Sequence, residues 1–487
     1  MNTFDVHDAL YIDGQWVRDA VGGGRFDVTD PATGDVLASL PDGGRAEMSR
    51  AIAAAAGAQS AWADTPAPVR GKILAAAGRL MLERIDLLAH LMTREQGKPL
   101  RESRTEIRYA ASFLSWFAGE AERIYGRQIP SADPTKRLLV LKRPVGVTAG
   151  VTPWNFPAAM ITRKLGPALA AGCTMVVKPS ELTPLSALEI ARVFADVGLP
   201  TGVFSVVAGL DAADIVEPVM ADMRVRKLSF TGSTTVGTAL MAQAASTMKR
   251  LSLELGGHAP FLVFEDADLD IAVDAAVASK MRNMGQTCVA ANRFYVHRAV
   301  VDRFAERLAQ RLGELVVGNG LDDRTDVGPL ISEPAVAKVE AHVADAIANG
   351  ADLLTGGSRT VAGGPFFAPT VLRGVDPTMR ISREETFGPV VAISTFESEQ
   401  EAVALANSTP YGLAAYYFTR DVGRVLRLAE RLEFGVIGAN DGIPSTAQAP
   451  FGGIKASGIG HEGGAEGIAE YLDVKYLSIG SIEAAVD

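Results

Sequence analysis

Cysteine is scarce in this chain, with only Cys173 and Cys288 among 487 residues. Two cysteines so far apart in a long chain exclude a disulfide scaffold and are typical of a reducing compartment. Long apolar runs are also lacking, because the alanine-rich stretch 51–58 ends at Gln59 and Ser60 and is too short to cross a bilayer. We therefore expect a cytoplasmic protein without a membrane partner.

Positive charge is in short supply as well. The 47 lysines and arginines stand against 57 aspartates and glutamates, which gives a formal net charge of -10. This balance argues against nucleic acid or an anionic membrane as the main partner and leaves a small molecule. Residues 1–13 are acidic and lack a basic start followed by an apolar core, so we expect no signal peptide.

Strands and helices alternate along much of the chain. The predicted strands cover residues 10–16, 25–30, 136–143, 145–151, 174–178, 204–207, 226–230, 260–264, 293–297 and 471–479. The predicted helical regions cover residues 46–124, 161–171, 184–197, 236–245, 270–281 and 300–315. This βαβα order predicts an α/β protein with a parallel sheet covered by helices on both faces. The pattern restarts after Glu254, so the Gly256-Gly257 pair is interpreted as a hinge between two domains.

Cys288 lies in a short polar stretch, Gly285-Gln-Thr-Cys288-Val-Ala290, between a predicted helix and a predicted strand. A lone cysteine in such a place is a candidate nucleophile, although a buried and inert thiol is the commoner fate of a cysteine. To attack, the thiol needs a lowered pKa or a base, and the oxyanion that forms needs a hydrogen-bond donor. Cys173 is expected to pack in the core.

Two other residues could supply this help. Asn155 follows a predicted parallel strand, where ligands bind, and its amide could donate to an oxyanion together with the backbone N–H of Cys288. Glu254 is flanked by Leu253 and Leu255, so desolvation should raise its pKa toward the range useful for a base. The plain alternatives are a turn asparagine and a glutamate that faces solvent.

Three further stretches could bind a nucleotide. Gly232 and Gly237 follow a strand and open a helix, so a pyrophosphate could approach the helix N-terminus, although such a turn often only caps a helix. Glu385 and Phe387 place a carboxylate and an aromatic ring near a turn, which could equally be a structural loop.

The third stretch contains Lys178 and Glu181, just past another predicted strand. The two side chains could bond the hydroxyls of an adenosine ribose, or they could form a solvated charge pair. An acid in the ribose-binding role favours NAD over NADP because it repels a 2′-phosphate.

Seven short motifs occur together in one order. They are TPWNFP at 152–157, KPSELTP at 178–184, FTGST at 230–234, LELGG at 253–257, GQTC at 285–288, EETFGP at 384–389 and PFGG at 450–453. With these motifs the chain resembles the aldehyde dehydrogenase superfamily over nearly its whole length. It looks most similar to the succinate-semialdehyde dehydrogenases.

The resemblance implies a role for each matching position, and it implies no metal. Cys288 would be the nucleophile, Asn155 the oxyanion donor and Glu254 the general base. The residues that would bind NAD or NADP, with NAD favoured, are Trp154, Lys178, Glu181, Gly232, Ser233, Glu385 and Phe387. The residues that match the carboxylate-binding positions of succinate-semialdehyde dehydrogenases are Arg163, Arg282 and Ser445.

The chain departs from the family pattern in two places. Many relatives have a second cysteine two positions after the nucleophile, whereas Ala290 stands here, so a disulfide switch should be absent. Several bacterial relatives that prefer NADP lack the acid found at Glu181, so NADP preference does not transfer simply. His258 is interpreted as structural.

The function implied is oxidation of succinate semialdehyde to succinate with NAD(P)+, through a thiohemiacetal and a thioester on Cys288. Glutarate semialdehyde or another carboxylated aldehyde is an alternative substrate, since one methylene changes affinity by only about 1–3 kcal/mol. A cofactor-free thiol esterase and a catalytically silent binding protein are alternatives of other classes.

The resemblance also implies an architecture. Residues 1–135 and 145–255 would form a Rossmann-like NAD(P)-binding domain, and residues 256–455 an α/β catalytic domain. Residues 136–144 and 456–487 would form a small β oligomerisation element. Because unpaired strand edges invite pairing with another chain, we expect a homodimer or homotetramer.

Overall fold

The structure is a computed structural model that describes residues 8–360 and 363–481. Residues 1–7, which belong to the acidic start and to the expected cofactor-binding domain, lie outside the described residues. So do residues 482–487 of the expected oligomerisation element. Within the described part, no helix is both long and apolar enough to cross a membrane.

The first half of the chain alternates strands and helices after an N-terminal helical region. In chain order its strands are β1 (Leu10–Ile12), β2 (Gln15–Val17), β3 (Arg25–Thr29), β4 (Val36–Pro41), β5 (Arg127–Ile129), β6 (Arg137–Pro144), β7 (Val147–Val151), β8 (Met175–Lys178), β9 (Phe204–Val206), β10 (Val225–Thr231) and β11 (Arg250–Glu254). Its helices are α1 (Arg45–Asp64), α2 (Ala67–Glu83), α3 (Ile85–Gln96), α4 (Leu100–Glu120), α5 (Ala159–Ala171), α6 (Pro184–Asp196), α7 (Ala212–Ala221) and α8 (Thr234–Ala244).

The second half repeats the alternation. Its strands are β12 (Ala259–Val263), β13 (Ala291–His297), β14 (Asp352–Thr355), β15 (Thr370–Arg373), β16 (Val390–Phe396), β17 (Ala414–Phe418), β18 (Val436–Ala439), β19 (Gly458–Ile459) and β20 (Leu472–Ile479). Its helices are α9 (Leu269–Met281), α10 (Val301–Gly313), α11 (Glu333–Ala348), α12 (Glu399–Asn407), α13 (Val422–Arg431) and α14 (Gly464–Ala469).

The larger sheet has the strand order β19-β11-β10-β7-β8-β9-β1-β2, and β7 to β11 run parallel. The chain proceeds outward from β7 to β9 and then returns to the other side of β7 for β10 and β11. The connections therefore diverge between β7 and β10. Ligands of such sheets bind in the crevice outside the carboxyl ends of the strands at this switch point.

The second sheet has the order β14-β15-β16-β13-β12-β17-β18 and is parallel except for β14. Its interior strand β12 is buried along its whole length, as expected for a parallel strand covered on both faces. A third sheet, β20-β6-β5, is antiparallel. These observations confirm the predicted α/β fold class.

Local chemistry explains where the sequence predictions needed correction. The predicted strand 10–16 is two strands, because Asp13 and Gly14 both have positive φ and form the tight turn of a β1–β2 hairpin. The predicted helical region 46–124 is four helices, and two of its breaks lie at Pro66 and at the left-handed Gly97.

The two parallel sheets are joined by the short segment 255–258 between β11 and β12. A Cβ atom on Gly257 would lie 2.3 Å from the backbone oxygen of Cys288. Only glycine permits this close contact between the end of the larger sheet and the loop that carries Cys288.

Candidate active site

The carboxyl ends of four neighbouring strands supply the first group of predicted site residues. Lys178 at the end of β8 pairs in register with Val151 at the end of β7. Glu254 at the end of β11 pairs with Thr231 at the end of β10. The register therefore places the segments that follow β7 and β10, which contain Asn155 and Ser233, at the switch point of the sheet.

A cavity of about 300 Å³ opens at this point. Its walls include the predicted nucleophile, the predicted oxyanion donor and five of the predicted cofactor residues. These lining residues are Trp154, Asn155, Gly232, Ser233, Cys288, Glu385 and Phe387. The structure thus brings together predicted site residues that lie up to 233 positions apart in the chain.

Cys288 lies just before β13 and is partly buried. Burial raises the pKa of its thiol to about 12, and the nearby Arg163 and Arg282 guanidinium groups act in the opposite direction. In this environment the thiol is protonated at neutral pH, so attack on a carbonyl requires a base or the arrival of a ligand.

Asn155 is held by the loop that precedes Cys288. Its amide nitrogen Nδ2 donates to the backbone oxygen of Gln286 at 3.0 Å. That bond uses one of the two amide hydrogens and leaves the second available to an acceptor in the cavity.

Glu254 is buried, and neither of its carboxylate oxygens has a hydrogen-bond partner among the described residues. Burial raises its pKa well above the ordinary value, and the neighbouring Glu462 carboxylate raises it further. The cations Arg163 and Lys164 lower it. A carboxyl group in this state can accept a proton from water once it ionises.

The charges beside Glu254 form one buried cluster. The Lys164 ammonium donates to Glu462 and, at 2.6 Å, to the hydroxyl of Thr231. The Arg163 guanidinium pairs with the same Glu462 carboxylate and lies 4.0 Å from the Phe451 ring centroid.

The nucleotide residues lie around the same strand ends. The Lys178 ammonium donates to the Glu181 carboxylate at 3.0 Å. Ser233 caps α8, since its hydroxyl oxygen accepts the backbone N–H of Val236. At the opposite wall, Glu385 accepts the Gly257 N–H at 3.4 Å, and burial raises its pKa to about 7.

These features fit a dinucleotide. The aromatic rings of Trp154 and Phe387 meet edge to face at a centroid distance of 5.6 Å and wall the cavity. The N-terminus of α8 offers free backbone N–H groups for a pyrophosphate. The Lys178–Glu181 pair offers one donor and one acceptor for ribose hydroxyls.

Among residues 8–360 and 363–481, no group of three or more metal-ligating side chains is placed to hold a metal ion.

A second cavity, of about 390 Å³, lies on the other side of the Asn155-Phe156 segment, because Asn155 lines the first cavity and Phe156 the second. Arg282 and Ser445 both line it. The Nε of Arg282 is buried without a hydrogen-bond partner, and no described carboxylate forms an ion pair with its guanidinium. The guanidinium lies instead 4.9 Å from the Phe156 ring centroid.

Arg163 does not line this second cavity, because its guanidinium is paired with Glu462 in the interior. The structure thus brings Arg282 and Ser445 together and leaves Arg163 apart from them. The role of Arg163 as a third carboxylate ligand stays a prediction.

Several residues near the site were missed from the sequence. Lys164 follows Arg163 directly, but its partner Glu462 is 298 residues away, so no local pattern links them. Glu102 and Glu106 are four residues apart on α4 and both line the second cavity, which only their helical spacing could have suggested. Tyr109 lies one turn further on and lines the same cavity.

Comparisons with known proteins find relatives that match nearly the whole chain. The sequence pattern of the Aldehyde dehydrogenase family matches residues 16–477. The succinate-semialdehyde dehydrogenase [NADP(+)] of Escherichia coli (strain K12) is 55% identical over 469 residues, which cover 96% of this chain and 97% of that protein. The glutarate-semialdehyde dehydrogenase of Pseudomonas aeruginosa is 53% identical over 472 residues, which cover 97% of each chain.

Among solved structures, the succinate-semialdehyde dehydrogenase from Burkholderia pseudomallei superimposes with a TM-score of 0.96. The two chains are 53% identical, and the match covers 98% of each.

Proposed function

Because the chain belongs to the aldehyde dehydrogenase family, we propose that it oxidises succinate semialdehyde to succinate with NAD or NADP. The observation that carries the substrate is the guanidinium of Arg282, which lines a largely apolar cavity together with Ser445 and forms no ion pair with a described carboxylate. A cation in such surroundings attracts an anion, and a substrate carboxylate would neutralise it.

The chemistry proposed for the site begins at Cys288. Its thiolate adds to the aldehyde carbon, and the oxyanion is stabilised by the free N–H of the Asn155 amide and by the backbone N–H of Cys288. A nicotinamide cofactor held by Trp154, Lys178, Glu181, Gly232, Ser233, Glu385 and Phe387 supplies the hydride acceptor. Loss of hydride leaves a thioester on Cys288.

Glu254 would complete the reaction. Its carboxylate takes a proton from a water molecule, the water oxygen attacks the thioester carbon, and the C–S bond breaks to release succinate and the Cys288 thiolate. Neither carboxylate oxygen of Glu254 has a hydrogen-bond partner among the described residues, so both can bind that water.

Arg282 and Ser445 would bind the distal carboxylate of the substrate. Arg163 would join them only by leaving Glu462. Glutarate semialdehyde, named for a relative that is 53% identical, is the second candidate. Its single additional methylene changes affinity by only about 1–3 kcal/mol.

A kinetic panel tests the proposal. Succinate semialdehyde, glutarate semialdehyde and butanal are each assayed with NAD and with NADP. We expect kcat/KM for the two carboxylated aldehydes to exceed that for butanal by roughly 10- to 150-fold. This ratio corresponds to about 1.5–3 kcal/mol, the usual contribution of hydrogen bonds to charged groups. An equal kcat/KM for butanal would overturn the substrate class. Turnover of esters without any nucleotide-dependent oxidation would favour the esterase alternative.

Cofactor preference and assembly are also proposed. Glu181 beside the ribose subsite favours NAD, although the Escherichia coli relative is named for NADP. The domains would divide as 1–135 with 145–255, 256–455, and 136–144 with 456–487, except that β19 pairs with β11 in the larger sheet and β5 pairs with β6 in the third. In the third sheet, β20 is an edge strand with Val474 and Tyr476 exposed, so this sheet would pair with another copy in a dimer or tetramer. Sedimentation velocity of the chain and of Val474→Glu tests this pairing.

A further inference from the structure

The loop that leads to Cys288 has an unusual backbone. Asn283, Met284 and Gly285 have φ values of 51°, 56° and 73°, so three consecutive residues are left-handed. Residues other than glycine disfavour this conformation, and among them asparagine tolerates it best. The loop therefore needs contacts that hold it, and those contacts decide where Cys288 lies.

Asn283 connects this loop to the loop of Asn155. Its side-chain Nδ2 donates to the backbone oxygen of Asn155 and to that of Gln286, both at 3.0 Å. The Asn155 amide donates to the same Gln286 oxygen. These three hydrogen bonds join Asn155, Asn283 and Gln286 in a closed ring. A displacement of the cysteine loop therefore also displaces the amide of Asn155.

Lys98 contacts the same carbonyl group. Its ammonium donates to the backbone oxygen of Asn155 at 2.7 Å and to Glu106 at 2.5 Å. The other oxygen of Glu106 accepts the backbone N–H groups of Ala158 and Ala159 at the start of α5. The Asn155 loop is therefore fixed from its far side as well.

Helix α4 fixes both loops. Glu106 binds the Asn155 loop, and Glu102, one turn earlier, accepts the backbone N–H of Asn283 at 2.6 Å. Lys98, Glu106, Asn155, Asn283 and Gln286 are all nearly inaccessible to solvent. In such surroundings a hydrogen bond has few competing water molecules, which favours a single geometry.

We infer that Asn283 and Lys98 are positioning residues, which fix the oxyanion donor Asn155 relative to Cys288. Both donate to the backbone carbonyl of Asn155, Asn283 from the cysteine loop and Lys98 from the α3–α4 connection. The inference rests on the proposed roles of Cys288 and Asn155. Neither positioning residue lines either of the two cavities. A shift of about 1 Å in the donor is enough to cost roughly 100-fold in rate.

The test uses Asn283→Gly, because glycine accepts the left-handed backbone while both side-chain donors are lost. Two rate constants are measured. The pre-steady-state burst of NADH formation reports acylation of Cys288, which needs both the thiolate and the oxyanion donor. Alkylation of Cys288 by iodoacetamide needs the thiolate alone. We expect the burst rate constant to fall roughly 10- to 100-fold and the alkylation rate constant to stay within about threefold.

A double-mutant cycle separates positioning from general stabilisation. In an Asn155→Ala background, Asn283→Gly should lower the burst by less than about threefold, because the donor it positions is gone. Additive losses, or an equal loss in alkylation, would overturn the inference. An unchanged burst in Asn155→Ala alone would overturn the oxyanion role, and the inference with it.

Two controls complete the design. Asn440 is also left-handed, but its side chain bonds only Thr419, so Asn440→Gly should leave the burst unchanged. The double variant Lys98→Met with Glu106→Gln removes the second donor without leaving an unpaired buried carboxylate. It should reproduce the selective loss of the burst, and a full burst in this variant would overturn the role of Lys98.

Discussion

The guanidinium of Arg163 pairs with the carboxylate of Glu462 in the interior of the chain. Lys164 pairs with the same carboxylate, so one acid is shared by two adjacent cations. Arg282, by contrast, forms no ion pair with any described carboxylate and lines the second cavity. The sequence predicted that both arginines bind the substrate carboxylate. The structure shows that the charge of Arg163 is already paired, whereas the charge of Arg282 is available to a substrate.

Substitution of each arginine by methionine should separate these environments. Arg282→Met should lower kcat/KM for succinate semialdehyde roughly 10- to 150-fold, because about 1.5–3 kcal/mol of charge-assisted hydrogen bonding is lost. Butanal has no carboxylate, so its kcat/KM should change less than about threefold. A matched loss with both aldehydes would contradict the carboxylate role of Arg282.

Arg163→Met should act differently. Arg163 lowers the pKa of both Cys288 and Glu254, so its removal leaves both groups more protonated at neutral pH. Turnover of succinate semialdehyde and of butanal should then fall by similar factors. A loss confined to the carboxylated aldehyde would instead show that Arg163 binds the substrate carboxylate, as the family resemblance implies.

The charges around Glu254 also predict opposite shifts in pH dependence. Hydrolysis of the thioester needs ionised Glu254, so its rate rises with pH through the pKa of that group. Glu462 raises this pKa and Lys164 lowers it. Glu462→Gln should therefore move the rise to lower pH, and Lys164→Met should move it to higher pH. Rapid-quench measurement of acyl-enzyme decay across pH checks both signs.

A control for these shifts is Glu254→Gln, which should lower the decay rate and flatten its pH dependence. Shifts of Glu462→Gln and Lys164→Met in the same direction would mean that another group controls the profile.

Local patterns predicted the strands and the residues at their ends, because an apolar strand followed by a turn is visible within ten residues. Asn155, Lys178 and Glu254 were found in this way, and the structure groups the strand ends that carry them. The Lys178–Glu181 pair is local and was foreseen as one alternative, but the long-range contacts around the site were not predictable. Asn155 contacts Gln286 across 131 positions, and Lys164 contacts Glu462 across 298.

The backbone of the cysteine loop was equally hidden from the sequence. Asn283 tolerates the left-handed conformation, but nothing in the sequence indicates that Met284 adopts it as well. The conformation is imposed by distant partners such as Glu102, whose carboxylate accepts the Asn283 N–H. Tertiary contacts, rather than local preference, decide the shape of this loop.

The surroundings of Cys288 predict how the chain without nucleotide reacts with an alkylating agent. Burial raises the pKa of its thiol to about 12, so the thiolate fraction grows about tenfold for each pH unit across the neutral range. The rate constant for alkylation by iodoacetamide should therefore rise steadily from pH 6 to pH 9. A plateau below pH 8 would show that a nearby cation lowers the pKa far more than burial raises it.

Glu181 offers a test of cofactor choice with a matched control. Its carboxylate accepts from Lys178 at 3.0 Å and is about one-third exposed, so solvent weakens its repulsion of a 2′-phosphate. Glu181→Gln removes that charge and frees Lys178 to pair with the phosphate. We expect the ratio of kcat/KM for NADP to that for NAD to rise by about 5- to 10-fold, an effect of about 1 kcal/mol. Glu217→Gln removes a surface carboxylate that pairs with Arg45, and it should leave the ratio unchanged. An unchanged ratio in Glu181→Gln would mean that backbone shape, rather than this charge, decides between the two nucleotides.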